Sequence, residues 1–155
     1  MLAQELIDAF LDSIDPAFRA GGPDVADEEI HERNVARVQL AFAAVGRGDF
    51  DALVDLCRDD VVLDIAGPPS IPFVGVWKGR DEVVAAIRRN FAMLESQRPE
   101  IESLSAQGEH VVVILRERGR IVATGADYSV RGAQVFTFED GKLRRVREIL
   151  VEDPA

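Results

Sequence analysis

The sequence has little of what disulfide-linked, metal-binding or membrane-spanning proteins need. Its one cysteine, Cys57, can form neither an internal disulfide nor a cysteine metal cluster. No run approaches the roughly 18 apolar residues of a membrane helix, and the N-terminus shows neither a basic region nor a cleavable apolar core. No His, Cys and carboxylate group has metal-ligand spacing, and no glycine-rich phosphate loop is present. We therefore expect a cytoplasmic protein that uses no metal or other cofactor.

Basic residues are also scarce. The chain holds 18 lysines and arginines against 28 acidic residues, for a formal charge of −10 and a pI of about 4.7. This excess argues against nucleic acid or an anionic membrane as a partner. The region 116–147 is nevertheless locally basic, and we interpret its cations as a solvated or subunit-facing sheet surface, with an anion site as the alternative. They are Arg116, Arg118, Arg120, Arg131, Lys142, Arg144, Arg145 and Arg147.

We infer the domain organisation from the length of the chain and from one interruption of the helical pattern near its N-terminus. At 155 residues with 47% hydrophobic residues, the chain is large enough for one domain with its own core. Apolar residues recur at helical spacing over 2–14, and Pro16 and the Gly21–Pro23 stretch end that pattern. We expect an N-terminal helical extension over 1–22 and a single α+β domain over 23–155.

The remaining pattern is helices, one strand, a helix and then several antiparallel strands. That order is typical of an α+β fold with helices on one face of a curved sheet. The predicted elements are a helix ending at Gly46, a short helix capped by Asp49, a strand over 61–65, a helix opened by Asp81 whose apolar face runs to Leu94, strands over 99–105 and 109–118 with a turn near Gly119, and a C-terminal hairpin.

The hairpin is the strongest structural signal. Tyr128–Phe138 and Leu143–Val151 are rich in β-branched and aromatic residues, and Asp140-Gly141 between them suits a tight turn because glycine accepts a positive φ.

The second hairpin strand carries a candidate acid–base group, Glu148. Because side chains alternate, one face carries Arg144, Val146, Glu148 and Leu150, and the other Leu143, Arg145, Arg147 and Ile149. If the Glu148 face is interior, desolvation raises the pKa of its carboxyl and suits it to acid or base chemistry near neutral pH. The alternative is a solvated glutamate paired with an arginine.

The strand before the hairpin supplies a second carboxylate. One face carries Val111, Val113, Leu115 and Glu117, and the other His110, Val112, Ile114, Arg116 and Arg118. We place the first face inside, where Glu117 and Glu148 would repel one another and separate their pKa values into an acid and a base. A register slip of one residue would instead turn Arg116 and Arg118 inward and favour an anionic ligand.

Three strings resemble the nuclear transport factor 2-like superfamily, and within it the SnoaL-like and ketosteroid isomerase-like bacterial proteins. They are GRGDFDALVDLCRDDVVLDIAG, FVGVWKGRDEVVAAI and TGADYSV followed by VFTFEDGKLRRVREI, together covering about residues 30–151. The resemblance implies a cone-shaped barrel of curved, mostly antiparallel sheet wrapped around helices, as in cystatin-like folds. It also implies a pocket on the concave side and a homodimer through the convex sheet face.

The fold hosts isomerases, cyclases, epoxide hydrolases, dehydratases and non-catalytic binders, so it does not specify a reaction. The resemblance favours a cofactor-independent acid–base enzyme acting on a small apolar carbonyl, polyketide-like, steroid-like or epoxide compound. The alternative is a non-catalytic ligand-binding or dimerisation module with the same pocket.

The resemblance also implies roles for individual residues. Related proteins carry an acidic residue at the positions of Glu148 and Glu117, and ketosteroid isomerases place a base near Asp64. Asp64 alternates with Leu63 and Ile65, however, and so is one position out of phase. The predicted catalytic residues are therefore Glu148, Glu117 and Asp64. The predicted ligand-binding residues are Tyr128, Gln134, Trp77, Leu63, Ile65, Val130, Val146 and Phe91. The alternatives are that Trp77 packs under the start of the following helix and that Tyr128 and Gln134 are buried polar groups satisfied within the structure.

The sequence departs from the epoxide hydrolase-like pattern at two places. That pattern has an arginine two residues before the first acid, where this chain has Leu115. It has a polar pair on the first strand, where this chain has Leu63 and Ile65. These departures favour the non-catalytic alternative.

Overall fold

The computed structural model of the protein describes residues 25–153. The predicted N-terminal helix over 2–14 lies outside the described residues, as does the whole of the proposed extension over 1–22. None of the helices that the structure describes is long and apolar enough to cross a membrane.

Two α-helices, one 3-10 helix and six strands make up the described chain. They are α1 Val25–Gly46, the 3-10 helix Phe50–Leu56, β1 Cys57–Ala66, β2 Gly75–Lys78, α2 Arg80–Ala92, β3 Leu94–Gln107, β4 His110–Ile121, β5 Asp127–Glu139 and β6 Lys142–Glu152.

The six strands form one sheet in the order β2-β1-β6-β5-β4-β3. All neighbours are antiparallel except β1 and β6, which are parallel. The curved sheet does not close, since β2 and β3 remain its edges, and the helices pack on its concave side. The predicted α+β class, with a curved, mostly antiparallel sheet around helices, is confirmed.

The predicted hairpin of β5 and β6 is also confirmed. Asp140 and Gly141 have φ values of 52° and 77°, so both residues of the turn lie in the left-handed region that an Asp-Gly pair adopts readily. Each of the two strands is one residue longer at both of its ends than predicted.

A β-bulge changes one predicted face of this hairpin. Thr137 pairs with Arg145, whereas the next residue, Phe138, pairs with Leu143. Arg144 is therefore an extra residue in β6, and the alternation of side chains shifts phase there. The prediction that Arg144 shares the interior face was wrong: Leu143 is buried on that face and Arg144 is exposed.

Two further boundaries differ from the predictions. Helix α2 ends at Ala92, and Leu94, predicted on its apolar face, begins β3. Strand β4 continues past Gly119 to Ile121, because it pairs along its whole length with β3 and β5. The long strands β3 to β6 form the wall on which the site is built.

The core lies between the concave sheet face and the helices. Its most deeply buried members are valines from α1, α2, β1, β4 and β5, each 1% exposed or less: Val38, Val61, Val83, Val111, Val113 and Val130. β-Branched side chains pack well on a pleated surface, which suits them to this interface.

Candidate functional site

An apolar cavity of about 590 Å³ lies between the sheet and the helices. Ligand pockets typically have this size and this mostly apolar lining, with a few placed polar groups. The aromatic lining residues are Phe42, Phe73, Phe91 and Phe136, and the polar ones are Asn90, Gln97, Glu117, Gln134 and Glu148.

Glu148 reaches the cavity from β6. It pairs with Gln134 on β5, and directly opposed side chains on one sheet face lie close together. Gln134 Nε2 donates a hydrogen bond of 2.9 Å to Glu148 Oε2. The other amide atom, Gln134 Oε1, is buried and has no hydrogen-bond partner among the described residues.

Glu117 reaches the same cavity from β4, in the register that turns Arg116 and Arg118 to the opposite face. The hydroxyl of Tyr128 donates a hydrogen bond of 2.9 Å to Glu117 Oε2. Tyr128 is paired with Gly119, two residues beyond Glu117, so its ring reaches diagonally across the ladder.

Gln97 completes the surroundings of Glu117, and sequence reasoning missed it. Its side chain hydrogen-bonds the side chains of both Glu117 and Tyr128. A bulge in β3 between Glu95 and Arg98, with φ of 54° at Ser96, brings Gln97 to the concave face. The local sequence pattern does not predict this bulge.

The environment raises the pKa of both carboxyls. Burial raises the pKa of Glu148 to about 7, with a smaller increase from the charge of Glu117 and an opposing effect of the Gln134 hydrogen bond. Burial also raises the pKa of Glu117, while hydrogen bonds from Tyr128 and Gln97 act in the opposite direction. Glu148 is half-buried, because its side chain faces the cavity.

Cys57 also lines the cavity, at the start of β1. Burial raises the pKa of its thiol to about 11, so the nucleophilic thiolate is scarce at neutral pH. The side chain is 3% exposed and packs in the core. This agrees with the interpretation of Cys57 as a buried structural thiol.

Most predicted ligand-binding residues line the cavity, and their roles remain predictions. Those that do are Leu63, Ile65, Phe91, Val130, Gln134 and Val146. Tyr128 does not; it lies behind Glu117 and supports that carboxylate. Among residues not predicted for the site, Asn90, Gln97 and Leu115 line the cavity too.

Two residues that were predicted for the site, Trp77 and Asp64, do not line the cavity. The ring of Trp77 lies against Gly75 and beneath the guanidinium of Arg89, 5.9 Å from the ring centroid. Asp64 is on the opposite sheet face, where its Oδ2 is 3.7 Å from Arg145 Nη2. The alternation of β1 that places Leu63 and Ile65 inside sends Asp64 outside.

In residues 25–153, no three His, Cys, Asp or Glu side chains are grouped so that they could hold a metal ion. The site consists of two carboxyl groups with amide and phenol partners in an apolar cavity. Such a pair can exchange protons with a bound molecule or anchor its polar end.

The fold and several of its sequence features occur in known proteins. The chain is similar to a nuclear transport factor 2-like protein from Burkholderia xenovorans LB400, with 25% identity and a TM-score of 0.67 over 77% of this chain and 90% of that one. It is also similar in fold to a candidate SnoaL-like polyketide cyclase from Jannaschia sp. CCS1, with 18% identity and a TM-score of 0.66 over 84% and 91% of the two chains. An epoxide hydrolase of the LEH-like type from M. tuberculosis has 18% identity and a TM-score of 0.62 over 77% and 84%.

A search of curated proteins found no match. The family model of the SnoaL-like domain matches residues 38–146, which include α2, strands β1 to β5, the first part of β6 and the carboxylate Glu117. Glu148 lies two residues beyond the matched range. On this match and on the architecture, the chain belongs to the SnoaL-like domain family of the nuclear transport factor 2-like superfamily.

Proposed function

We propose that the protein is a cofactor-independent acid–base enzyme, of the isomerase, cyclase or epoxide hydrolase type, acting on a small, largely apolar compound. The observation that carries the proposal is that Glu117 and Glu148 line one apolar cavity and that the charge of the first raises the pKa of the second. Pairs of carboxyls whose environments separate their pKa values are a recurrent basis of acid–base catalysis.

The hydrogen-bond partners favour different roles for the two carboxyls. Glu117 accepts from Tyr128 and Gln97, and donors to a carboxylate favour its charged form. Glu148 has the single donor Gln134, and burial raises its pKa to about 7, so about half of it is protonated near pH 7. We therefore assign Glu117 as the base and Glu148 as the acid.

For an isomerisation, Glu117 takes a proton from the carbon beside a carbonyl while Glu148 donates a hydrogen bond or proton to the carbonyl oxygen. Return of the proton from Glu117 to a different carbon, and of the oxygen proton to Glu148, regenerates both groups. For an epoxide, Glu117 would deprotonate a water whose oxygen bonds to a ring carbon as the carbon–oxygen bond of the ring breaks, while Glu148 protonates the leaving oxygen. Glu117 then loses its proton to solvent and Glu148 gains one from solvent, which regenerates both groups. In both reactions the two carboxyls supply the proton transfers.

The lining supports an apolar substrate body. Four phenylalanines and a majority of aliphatic side chains surround the two carboxyls. A largely hydrocarbon ring system would gain from burial here, at roughly 25 cal/mol per Å² of apolar surface. We accordingly propose carbonyl, polyketide-like, steroid-like and epoxide compounds as the first classes to screen.

A non-catalytic ligand-binding module is the second candidate, favoured by Leu115. Leu115 lines the cavity two residues before Glu117, where the resemblance to epoxide hydrolase-like proteins implies an arginine. Leu63 and Ile65 likewise bring no polar atom to the cavity. A ligand can be held by the same carboxyls without being converted.

We also propose that two copies pair in the cytoplasm through the convex sheet face, as the resemblance implies. Half-buried Ile114 and Ile149 on that face, interleaved with arginines, support the proposal. Sedimentation velocity with the full chain measures the assembly directly, and a monomer at all concentrations would overturn this pairing.

The enzymatic proposal is tested by turnover of the four compound classes, followed by NMR and mass spectrometry of the products. Glu117→Gln and Glu148→Gln each keep size and remove the titrating group, so we expect turnover to fall by at least about a hundredfold. Asp64→Asn is the matched control, an identical type of change on the opposite face, and we expect it to retain activity. Compounds that bind but are not converted by the wild type would favour the non-catalytic module.

A further inference from the structure

We propose that the cavity is a site for amphiphilic amines, which bind with an apolar body among the phenylalanines and an ammonium group at the acidic wall that carries Glu117 and Glu148. The inference rests on the proposed ligand-binding role of the cavity and does not depend on any reaction. It applies equally to an enzyme and to a non-catalytic module.

The first argument is the charge of the cavity wall. Two carboxyls line it, and among the residues that the structure describes no lysine, arginine or histidine does. The arginines nearest in sequence to Glu117 and Glu148 have their side chains on the other sheet face; Arg116, for example, contacts Asp153 there at 2.8 Å. A carboxylate or phosphate ligand would meet like charge without compensation, whereas a cation would meet the opposite charge of Glu117 and of the ionised fraction of Glu148.

The second argument is a surplus of hydrogen-bond acceptors. Two donors near the carboxyls, the Tyr128 hydroxyl and an N–H of Gln134, are already used to bind Glu117 and Glu148. Gln134 Oε1 is a buried acceptor without a described partner, and the carboxylates retain further lone pairs. The complementary ligand group is therefore a donor, and an ammonium group offers three N–H donors and no acceptor.

The third argument is the aromatic surroundings. Phe42 and Phe136 line the cavity with their rings 5.8 Å apart in an edge-to-face arrangement, and Phe73 packs at 6.4 Å from the ring of Tyr128. Aromatic faces attract cations within about 6 Å, more strongly when water is excluded. The same rings provide apolar surface for a hydrocarbon body.

A bound ammonium would also change the protonation of the site. The titratable side chains that line the cavity are Cys57, Glu117 and Glu148, with Tyr128 behind Glu117, and the described parts of α1, α2 and the 3-10 helix add none. A cation stabilises the ionised carboxyls, so amine binding should strengthen as the pH rises through the pKa of Glu148, about 7. It should weaken again where the amine itself deprotonates, at about pH 10 for an alkylammonium group.

The test uses three probes of matched size: naphthylethylamine, naphthylethanol and naphthylacetate. Their affinities for the full chain are measured by isothermal titration calorimetry at pH 6 and pH 8. At pH 8 we expect the amine to bind at least about tenfold more tightly than the alcohol, as charge-assisted hydrogen bonds imply, and the carboxylate to bind most weakly. At pH 6 the advantage of the amine should shrink.

Variants separate the ammonium site from the cavity as a whole. Glu117→Gln and Glu148→Gln should each weaken the amine by about tenfold or more and the alcohol by less than about threefold. Alcohol binding thereby also reports that each variant is folded, and Asp64→Asn should change neither affinity.

Three outcomes would contradict these proposals at different points. Equal affinities of alcohol and amine, or an amine affinity that does not respond to either glutamine variant, would overturn the ammonium site and leave the cavity as a ligand site. Tightest binding of naphthylacetate would reverse the predicted charge preference. If none of the three probes binds, the proposed ligand-binding role fails together with this inference.

Discussion

The hydroxyl of Tyr128 donates a 2.9 Å hydrogen bond to Oε2 of Glu117 from a diagonal position across the β4–β5 ladder. Tyr128 is buried, and burial together with the charge of Glu117 raises the pKa of its phenol, so it remains a proton donor at any working pH. Since Tyr128 does not line the cavity, it acts on the site through its hydrogen bonds to Glu117 and Gln97. It is therefore a positioning residue.

Tyr128→Phe should raise the pKa of Glu117 above its wild-type value. The change removes a donor that favours the carboxylate, and it leaves the ring packing intact. We expect a loss of stability of about 1–3 kcal/mol for the hydrogen bond to a charged group. Carboxyl-selective NMR titration measures the pKa and urea unfolding measures the stability. A Glu117 titration identical to wild type would show that the hydrogen bond does not tune this carboxyl.

Gly119→Ala should displace the ring of Tyr128. A Cβ at residue 119 would lie 2.7 Å from both Cε1 and the hydroxyl oxygen of Tyr128, closer than real Cβ contacts allow. We expect a loss of about 1–3 kcal/mol in urea unfolding, the usual cost of overpacking, and a Glu117 titration that moves in the same direction as in Tyr128→Phe. Gly46→Ala is the control, because a Cβ there meets nothing within 4 Å. Equal stability of the two variants would contradict the close contact.

The hairpin, and the placement of Glu117 and Glu148 on one face, could be predicted because they depend on local signals. Asp140-Gly141 specifies a tight turn. On β4, one face carries Val111, Val113 and Leu115 before Glu117 and the other ends in arginines, and this difference identifies the interior face. On β6, Glu148 lies between Val146 and Leu150 on one strand face, and these apolar neighbours identify that face as the interior one.

Features that depend on irregular pairing could not be predicted. The bulge at Arg144 changes which side chains of β6 face the interior, and no glycine or proline at that position indicates it. The bulge at Ser96 brings Gln97 of the edge strand β3 into the site. Trp77 packs under α2 because β2 pairs with β1. The sequence pattern does not contain the register of that pairing, so it could not decide between this packing and a place in the cavity wall. Long-range register, more than propensity, was the missing information.

Gln134→Leu and Glu117→Gln should shift the pKa of Glu148 in opposite directions. The Gln134 hydrogen bond lowers that pKa, so its removal raises the value above about 7, whereas loss of the Glu117 charge lowers it. Both shifts are read from the Glu148 carboxyl by NMR titration. Asp64→Asn, on the opposite face, should leave the titration unchanged. Shifts of the same sign in the first two variants would show that these two contacts do not set the Glu148 pKa separately.

The raised pKa of Glu148 should make the protein less stable as the pH rises. The folded-state pKa of about 7 exceeds the ordinary value of 4.5, so between these values the native state binds more protons than the unfolded state. The stabilisation is therefore fully present below about pH 4.5 and lost as the pH rises through about 7, by on the order of 3 kcal/mol. Urea unfolding at intervals across this range measures it.

Glu148→Gln isolates the contribution of this one group, because glutamine has the same size and does not titrate. Glu117, whose pKa is also raised, contributes with the same sign in both proteins. We therefore expect the free energy of unfolding of the variant to fall less steeply with pH than that of the wild type, and the difference between the two curves to be confined to about pH 4.5–7. Parallel curves would mean that Glu148 ionises in the folded protein at its ordinary pKa, and the assignment of Glu148 as the acid would then fail.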